Sequence, residues 1–248
     1  FWWEWVHRLW ARTIGLVFAL PLAFFWIKRW IPQGYKPKLL SLFALGGAQG
    51  VMGWAMVASG LIDNPAVSHY RLAAHLILAL IIAALALWWA LPLLGVGRDL
   101  PASLRKHGWA TVGMLFVTII WGAFVAGLDA GLIYNEFPLM GGHVFPSEGL
   151  AQSPVWLNFF ENHAAVQFVH RYLGLLTGLM AIAFAFRGLK LQPDNKAFRA
   201  VAFMGFVQPS LGIAALLSNV NLHAAATHQL GAIVLLLSLF WALRSKST

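Results

Sequence analysis

Seven apolar runs, near residues 9–30, 39–60, 71–94, 109–132, 165–189, 199–219 and 224–243, are each long enough to cross a hydrocarbon core of roughly 30 Å as a helix. The fold class that follows is all-α, a polytopic transmembrane helical bundle. At 60% hydrophobic and 10% charged, the chain has too little polar surface for a soluble domain. Its formal charge of +9 is therefore read by placement between spans rather than as a nucleic-acid footprint, and no nucleic acid is expected as a partner. The chain has no Cys, which excludes disulfides, thiolate metal sites and cysteine nucleophiles.

The loops at 28–38, 95–108 and 187–199, with the tail after Leu243, hold thirteen of the 17 basic residues, among them Lys36, Arg98, Arg105, Arg199 and Lys246. The positive-inside rule makes this face cytoplasmic, or matrix-facing in an organelle. The opposite face collects Glu4, Asp63, Glu136, Glu148 and Glu161, and carries a long connection of about 30 residues from Gly131 to Asn162. The N-terminus then starts outside. A chain opening on Phe1 inside an apolar run reads as a fragment or processed product, and its first residues lack the marks of a signal peptide.

An internal duplication is visible. His7-Arg8 in the first span matches His170-Arg171 in the fifth, and Gln49 and Gly53 in the second match Gln208 and Gly212 in the sixth. His75 in the third matches His228 in the seventh, the separations being 163, 159, 159 and 153 residues. The second copy has one additional helix, 109–132, so the parent has four plus four helices with the first not present here. This divides the chain into residues 1–97, an N-terminal half-bundle of three helices, and 98–248, a C-terminal half-bundle of four. An even number of helices per copy relates the halves by an axis along the membrane normal.

His7, His75, His170 and His228 lie near the outer ends of the first, third, fifth and seventh spans, at similar depth, two per repeat. An ionisable side chain inside a membrane segment is costly and points to function. Imidazole pairs on facing helices, with no Cys or carboxylate at that depth, suit the two axial positions of a macrocycle iron better than zinc, which wants a third or fourth ligand. The reading is two haem sites with iron held by His7/His75 and His170/His228; pairing across the repeats stays open. The remaining histidines, His69, His107, His143, His163 and His223, are read as solvated or interfacial.

Haem propionates are anionic, and the outer-side basic residues Arg8, Arg12, Arg71 and Arg171 all lie near a candidate ligand. Arg12 equally suits snorkelling to headgroups. Glu4, three residues before His7, shares its helix face if the helix already starts there, and no carboxylate stands at that spacing before His170. That asymmetry suggests different jobs for the two sites. Glu161 is read as a cap at a helix start.

Residues 1–8 (FWWEWVHR), 70–75 (YRLAAH), 122–141 (GAFVAGLDAGLIYNEFPLMG), 159–162 (FFEN), 166–171 (VQFVHR) and 224–229 (AAATHQ) resemble the haem A synthase family in its Cys-less mitochondrial and proteobacterial form, over essentially the whole chain. The resemblance implies eight helices in two halves, and conversion of the C8 methyl of haem O to a formyl group, giving haem A for cytochrome oxidase. It implies that His170 and His228 hold a haem b cofactor, that His7 and His75 serve the substrate haem, and that Glu4 is catalytic. The implied chemistry is successive hydroxylation to a geminal diol that loses water, with electrons from an external donor, a ferredoxin-type protein being one candidate. Haem O synthase is a partner by pathway logic.

Two other classes would use the same ligands. A di-haem membrane electron-transfer protein predicts haems in both leaflets, whereas these four histidines share one. A haem transporter or chaperone would bind without turnover, and Glu4 is the feature that argues against it.

Overall fold

A backbone in lipid must satisfy its own hydrogen bonds, and this chain does so as helix along most of its described length. The computed structural model describes residues 2–60, 68–96 and 100–244, with the side chains of residues 3, 4 and 57–60 not described. Asp63, Arg98, Lys246 and the Glu4 side chain, which figure in the sequence reading, lie outside the described residues. Among the described residues there are seven long helices: α1 (Trp2–Ile27), α2 (Lys36–Gly60), α3 (His69–Ala90), α4 (Ala102–Gly127), α6 (His163–Leu191), α7 (Lys196–Leu217) and α8 (Leu222–Leu243), with the single-turn α5 (Asn158–Glu161) before α6. All seven are long and apolar enough to span a membrane, and the chain is an integral membrane protein.

The observed helices begin before the expected spans. α1 starts at Trp2 rather than near residue 9, so Glu4 and His7 share one helix, and α4 starts at Ala102 rather than 109. The cause is that Lys36, Lys38, Arg105, Lys106, Lys196 and Arg199, read as loop, are the first turns of helices whose apolar parts follow. Lys and Arg favour helix and reach the headgroups on long stems. α4 ends at Gly127 rather than 132, because Asp129 takes a left-handed conformation at φ 52° and the chain turns away.

The core runs through α3, α4, α6, α7 and α8. Phe184, Phe198, Leu235, Leu236 and Leu239 are at most 1% exposed within it. Small residues allow the helices to approach: a Cβ on Gly178 would lie 2.9 Å from the carbonyl of Gly205, and one on Gly188 would lie 2.3 Å from the ring of Phe198. None of the described residues of α1 and α2 is fully buried, and they expose many Leu, Phe and Trp side chains.

Between α4 and α6, residues 128–162 form a cap at one end of the bundle, built on amides. Asn158, fully buried, donates to the carbonyls of Gln152 and Val155 and accepts from the Gln152 N–H. Asn162 caps α6 by accepting from the N–H groups of Ala164 and Ala165, and donates to the Glu148 carbonyl. Asn135 donates to the carbonyls of Gly131 and Leu216, and Gln167 to that of Tyr134.

Candidate functional site

The four histidines singled out by the sequence lie five, six, seven and six residues after the first residue of α1, α3, α6 and α8. At 1.5 Å per residue each sits about 8–10 Å into its helix. Because consecutive spans alternate in direction, all four are at the end covered by residues 128–162, here termed the histidine end.

His170 and His228 face each other, with ring centroids 6.3 Å apart and planes at 77°. Two metal–imidazole bonds of about 2 Å each, plus the two ring radii, span about this separation. Glycines make the room: a Cβ on Gly122 would lie 2.8 Å from His170 Cε1, and one on Gly212 would lie 2.9 Å from His228 Cε1. His170 Nδ1 is 3.0 Å from the carbonyl of Thr118, and a carbonyl can only accept, so Nδ1 carries the proton and donates. The lone pair of the neutral ring is thereby left on Nε2, the condition for a metal ligand oriented by its outer partner. Thr118 is itself held by hydroxyl contact with Thr177 at 2.7 Å.

His228 is held by Gln208. The Gln208 amide donates to the His228 carbonyl at 2.9 Å and lies 3.2 Å from Nδ1. The carbonyl contact recurs at His75, where Gln49 donates to the His75 carbonyl at 3.1 Å, but here the amide nitrogen lies 3.3 Å from the ring Nε2 rather than Nδ1. A Cβ on Gly53 would lie 3.3 Å from His75 Cε1, as Gly212 does more tightly for His228. The structure therefore sets His170 facing His228, and places His7 on α1 and His75 on α3 at the same end. His7 is exposed and His75 half-buried.

Arg171 reaches across the histidine end. Its Nη1 donates to the carbonyls of Glu136, Pro138 and Leu139, while Nε and Nη2 are buried without a hydrogen-bond partner. Buried donors of a guanidinium in this state suit an anionic oxygen. Arg8 and Arg71 stand beside His7 and near His75 in sequence, and each makes a polar, ring or electrostatic contact. Glu4 is in the first turn of α1, three residues before His7.

These features fit a bis-histidine macrocycle iron at His170 and His228: facing imidazoles, glycine clearance and free cationic donors. Among the described residues, no group of three or more His, Asp or Glu is arranged to hold a bare metal ion.

Two residues differ from their sequence reading. His69, expected to be solvated or interfacial, is buried against Tyr70 and Phe124, with Nε2 3.8 Å from Glu161. Glu161 does not cap α6, since Asn162 does; it accepts a 2.5 Å hydrogen bond from the Tyr70 hydroxyl instead. Together they join the start of α3 to α5, a contact that no local pattern announces. The sequence showed Gln49 and Gln208 as repeat markers, and the imidazole contacts give them a physical role.

A family profile described as "Cytochrome oxidase assembly protein", COX15-CtaA, matches residues 1–240. The chain is 47% identical to the Heme A synthase of Rhodospirillum centenum over 249 residues, covering 98% of this chain and 67% of that protein. It is 45% identical to the Heme A synthase of Allorhizobium ampelinum over 241 residues, covering 95% and 66%. The human protein Heme A synthase COX15 is 43% identical over 253 residues, covering 96% and 62%. The chain thus spans about two thirds of the length of the curated relatives it matches.

Proposed function

Since the chain belongs to the COX15-CtaA family of cytochrome oxidase assembly proteins, we propose that it acts as a haem A synthase, oxidising the C8 methyl of haem O to a formyl group and so supplying haem A for cytochrome oxidase. The observation that carries this is the pair of facing imidazoles at His170 and His228, with a second imidazole pair at the same depth in α1 and α3.

The division of labour follows the duplication. Residues 98–248 form the cofactor half, in which His170 and His228 hold haem b and the unpartnered donors of Arg171 take a propionate. Haem b bound there supplies an electron-transfer path. Residues 1–97 form the substrate half, in which His7 and His75 hold the iron of haem O and Arg8 and Arg71 face its propionates.

At the methyl, two successive hydroxylations each insert one oxygen atom of dioxygen into a C–H bond, the other oxygen leaving as water with two electrons from the external donor and two protons, and the resulting geminal diol loses water to give the formyl group. Glu4, one helical turn before His7 on α1, relays those protons beside the substrate. Gln49 holds His75 in orientation while this happens. The reaction needs an external electron-transfer partner, for which a ferredoxin-type protein is the candidate class, and haem O synthase as the source of substrate. The basic ends of the helices face the cytoplasm of a bacterial cell, or the mitochondrial matrix, which puts both haem sites toward the opposite surface. With all four histidines at one end, a di-haem relay across the membrane is disfavoured.

The test is co-expression with a haem O synthase in cells that make no haem A, followed by haem extraction and separation with mass detection. Haem A is expected, and its loss in His7→Ala, His75→Ala and Glu4→Ala. An extract holding only haem O and haem b would contradict the proposal.

A further inference from the structure

Residues 134–139 cross the histidine end as neither helix nor strand. Carbonyls that no helix or sheet pairs still need donors, and here α6 supplies them. The Gln167 amide donates to the carbonyl of Tyr134 at 2.9 Å. Arg171, one turn further along the same face, donates from Nη1 to the carbonyls of Glu136, Pro138 and Leu139 at 3.0, 3.2 and 2.9 Å. Its guanidinium carbon also stands 5.9 Å from the centre of the Phe137 ring. The segment is thus a cradle for one cation, and its carbonyls engage a single nitrogen of that cation. Nε and Nη2 stay buried and free.

A segment without a ladder of its own keeps its carbonyls converged only where something fixes it. Asn135 does so from within. Its side-chain amide donates to the carbonyl of Gly131 at 2.8 Å, ahead of the cradle, and to that of Leu216 at 3.1 Å, near the end of α7. Two carbonyls on one nitrogen need two hydrogens, which among side chains of this length Asn alone provides. A second fastening, from the Gly142 N–H to the Glu136 carboxylate at 3.2 Å, is exposed, so water competes for it and the Asn135 contacts carry the larger share.

The anchor point on α7 matters as much as the anchor. Leu216 lies four residues after Gly212 and eight after Gln208, on the helix face whose two earlier turns meet the His228 ring. Asn135 therefore joins the cradle of Arg171, on α6, to the helix that holds His228 in place. Resting on the reading that the free donors of Arg171 take a propionate of haem b, we infer that Asn135 is a positioning residue for that contact. Without its amide the carbonyls of residues 136–139 part and the guanidinium follows them. Nε and Nη2 then leave the place where they meet the carboxylate. Asn135 acts through Arg171, not on the iron or its ligands.

The test uses the full chain purified with haem b in lipid nanodiscs. It compares wild type with Asn135→Leu, which keeps the volume, Asn135→Asp, which keeps the shape without the two N–H groups, Arg171→Ala, and the double variant of Asn135→Leu with Arg171→Ala. Retained bis-histidine absorption bands report that each variant is folded. One readout is the rate at which haem b passes to apomyoglobin. The other is the propionate bending band in the resonance Raman spectrum, which follows hydrogen bonding to the carboxylate and is not moved by a general loss of stability.

Both Asn135 variants are expected to release haem b about tenfold faster than wild type, the scale of a lost charge-assisted hydrogen bond. They should move the propionate band to where Arg171→Ala puts it, and Asn135→Leu should add nothing in the double variant. A wild-type band in the Asn135 variants beside a shifted band in Arg171→Ala overturns the cradle and leaves the propionate reading standing, as do additive effects in the double variant. A wild-type band in Arg171→Ala overturns the propionate reading and the inference with it. A wild-type chain that purifies without haem b overturns both.

Discussion

At His170 three neighbours decide what the ring can do: the Thr118 carbonyl takes the Nδ1 proton, Gly122 leaves space beside Cε1, and His228 stands opposite. Gly122→Ala puts a methyl 2.8 Å from Cε1 and must displace the ring. The variant is expected to purify with less than about half the haem b of wild type, measured as haem per protein, because misplaced ligands cost roughly 10–100-fold in affinity. Gln208→Leu removes the amide that ties the His228 ring to its carbonyl. It should lower thermal stability by about 1 kcal/mol and move the absorption maximum of bound haem b, whereas Gln49→Leu should leave that spectrum unchanged. Arg171→Lys cannot reproduce three carbonyl contacts and two further donors from one ammonium, so haem b retention should fall without loss of the fold. The histidines and Arg171 were legible in the sequence because a charged or ionisable group in an apolar span has so few bland explanations. His69 and Glu161 were not, since their burial and their contact with Tyr70 depend on how a loop folds 91 residues away.

The helices carry a second set of consequences. α4 and α6 are joined by the Thr118–Thr177 hydroxyl pair, and Thr177→Val should cost about 0.6–1.7 kcal/mol of stability in detergent unfolding, the range of interhelical hydrogen bonds in membranes. α6 and α7 close on small residues, and Gly188→Leu, with Phe198 ring atoms 2.3 Å from where its Cβ must go, should cost about 1–3 kcal/mol or force the helices apart. Span number and order were readable because length and apolarity suffice to recognise a membrane crossing. Helix starts were not, since first turns such as Lys36–Lys38 and Arg105–Lys106 are charged and read as loop. The amide network of residues 128–162 was likewise invisible: Asn135, Asn158 and Asn162 are common loop residues until their carbonyl partners are known.

For the molecule as a whole, the account makes two similar constellations do unlike work. His170 and His228 sit in a packed half, with Gly122 and Gly212 against their rings and Phe184 and Phe198 filling the space below. His7 and His75 sit on α1 and α3 of the other half, with Gly53 beside the His75 ring. The proposed reading gives the cofactor to the first pair and the substrate to the second. The duplication itself could be read from four ordered markers, but the contacts of Gln49 and Gln208 with the His75 and His228 carbonyls could not, because an amide in an apolar span does not show which neighbouring helix it reaches. The most direct measurement is the haem b content of four single variants purified from cells that also make haem O. The account predicts that His170→Ala and His228→Ala lose haem b, while His7→Ala and His75→Ala keep it in full and leave haem O unconverted. Haem b lost from His7→Ala or His75→Ala, and retained in His170→Ala and His228→Ala, would contradict it.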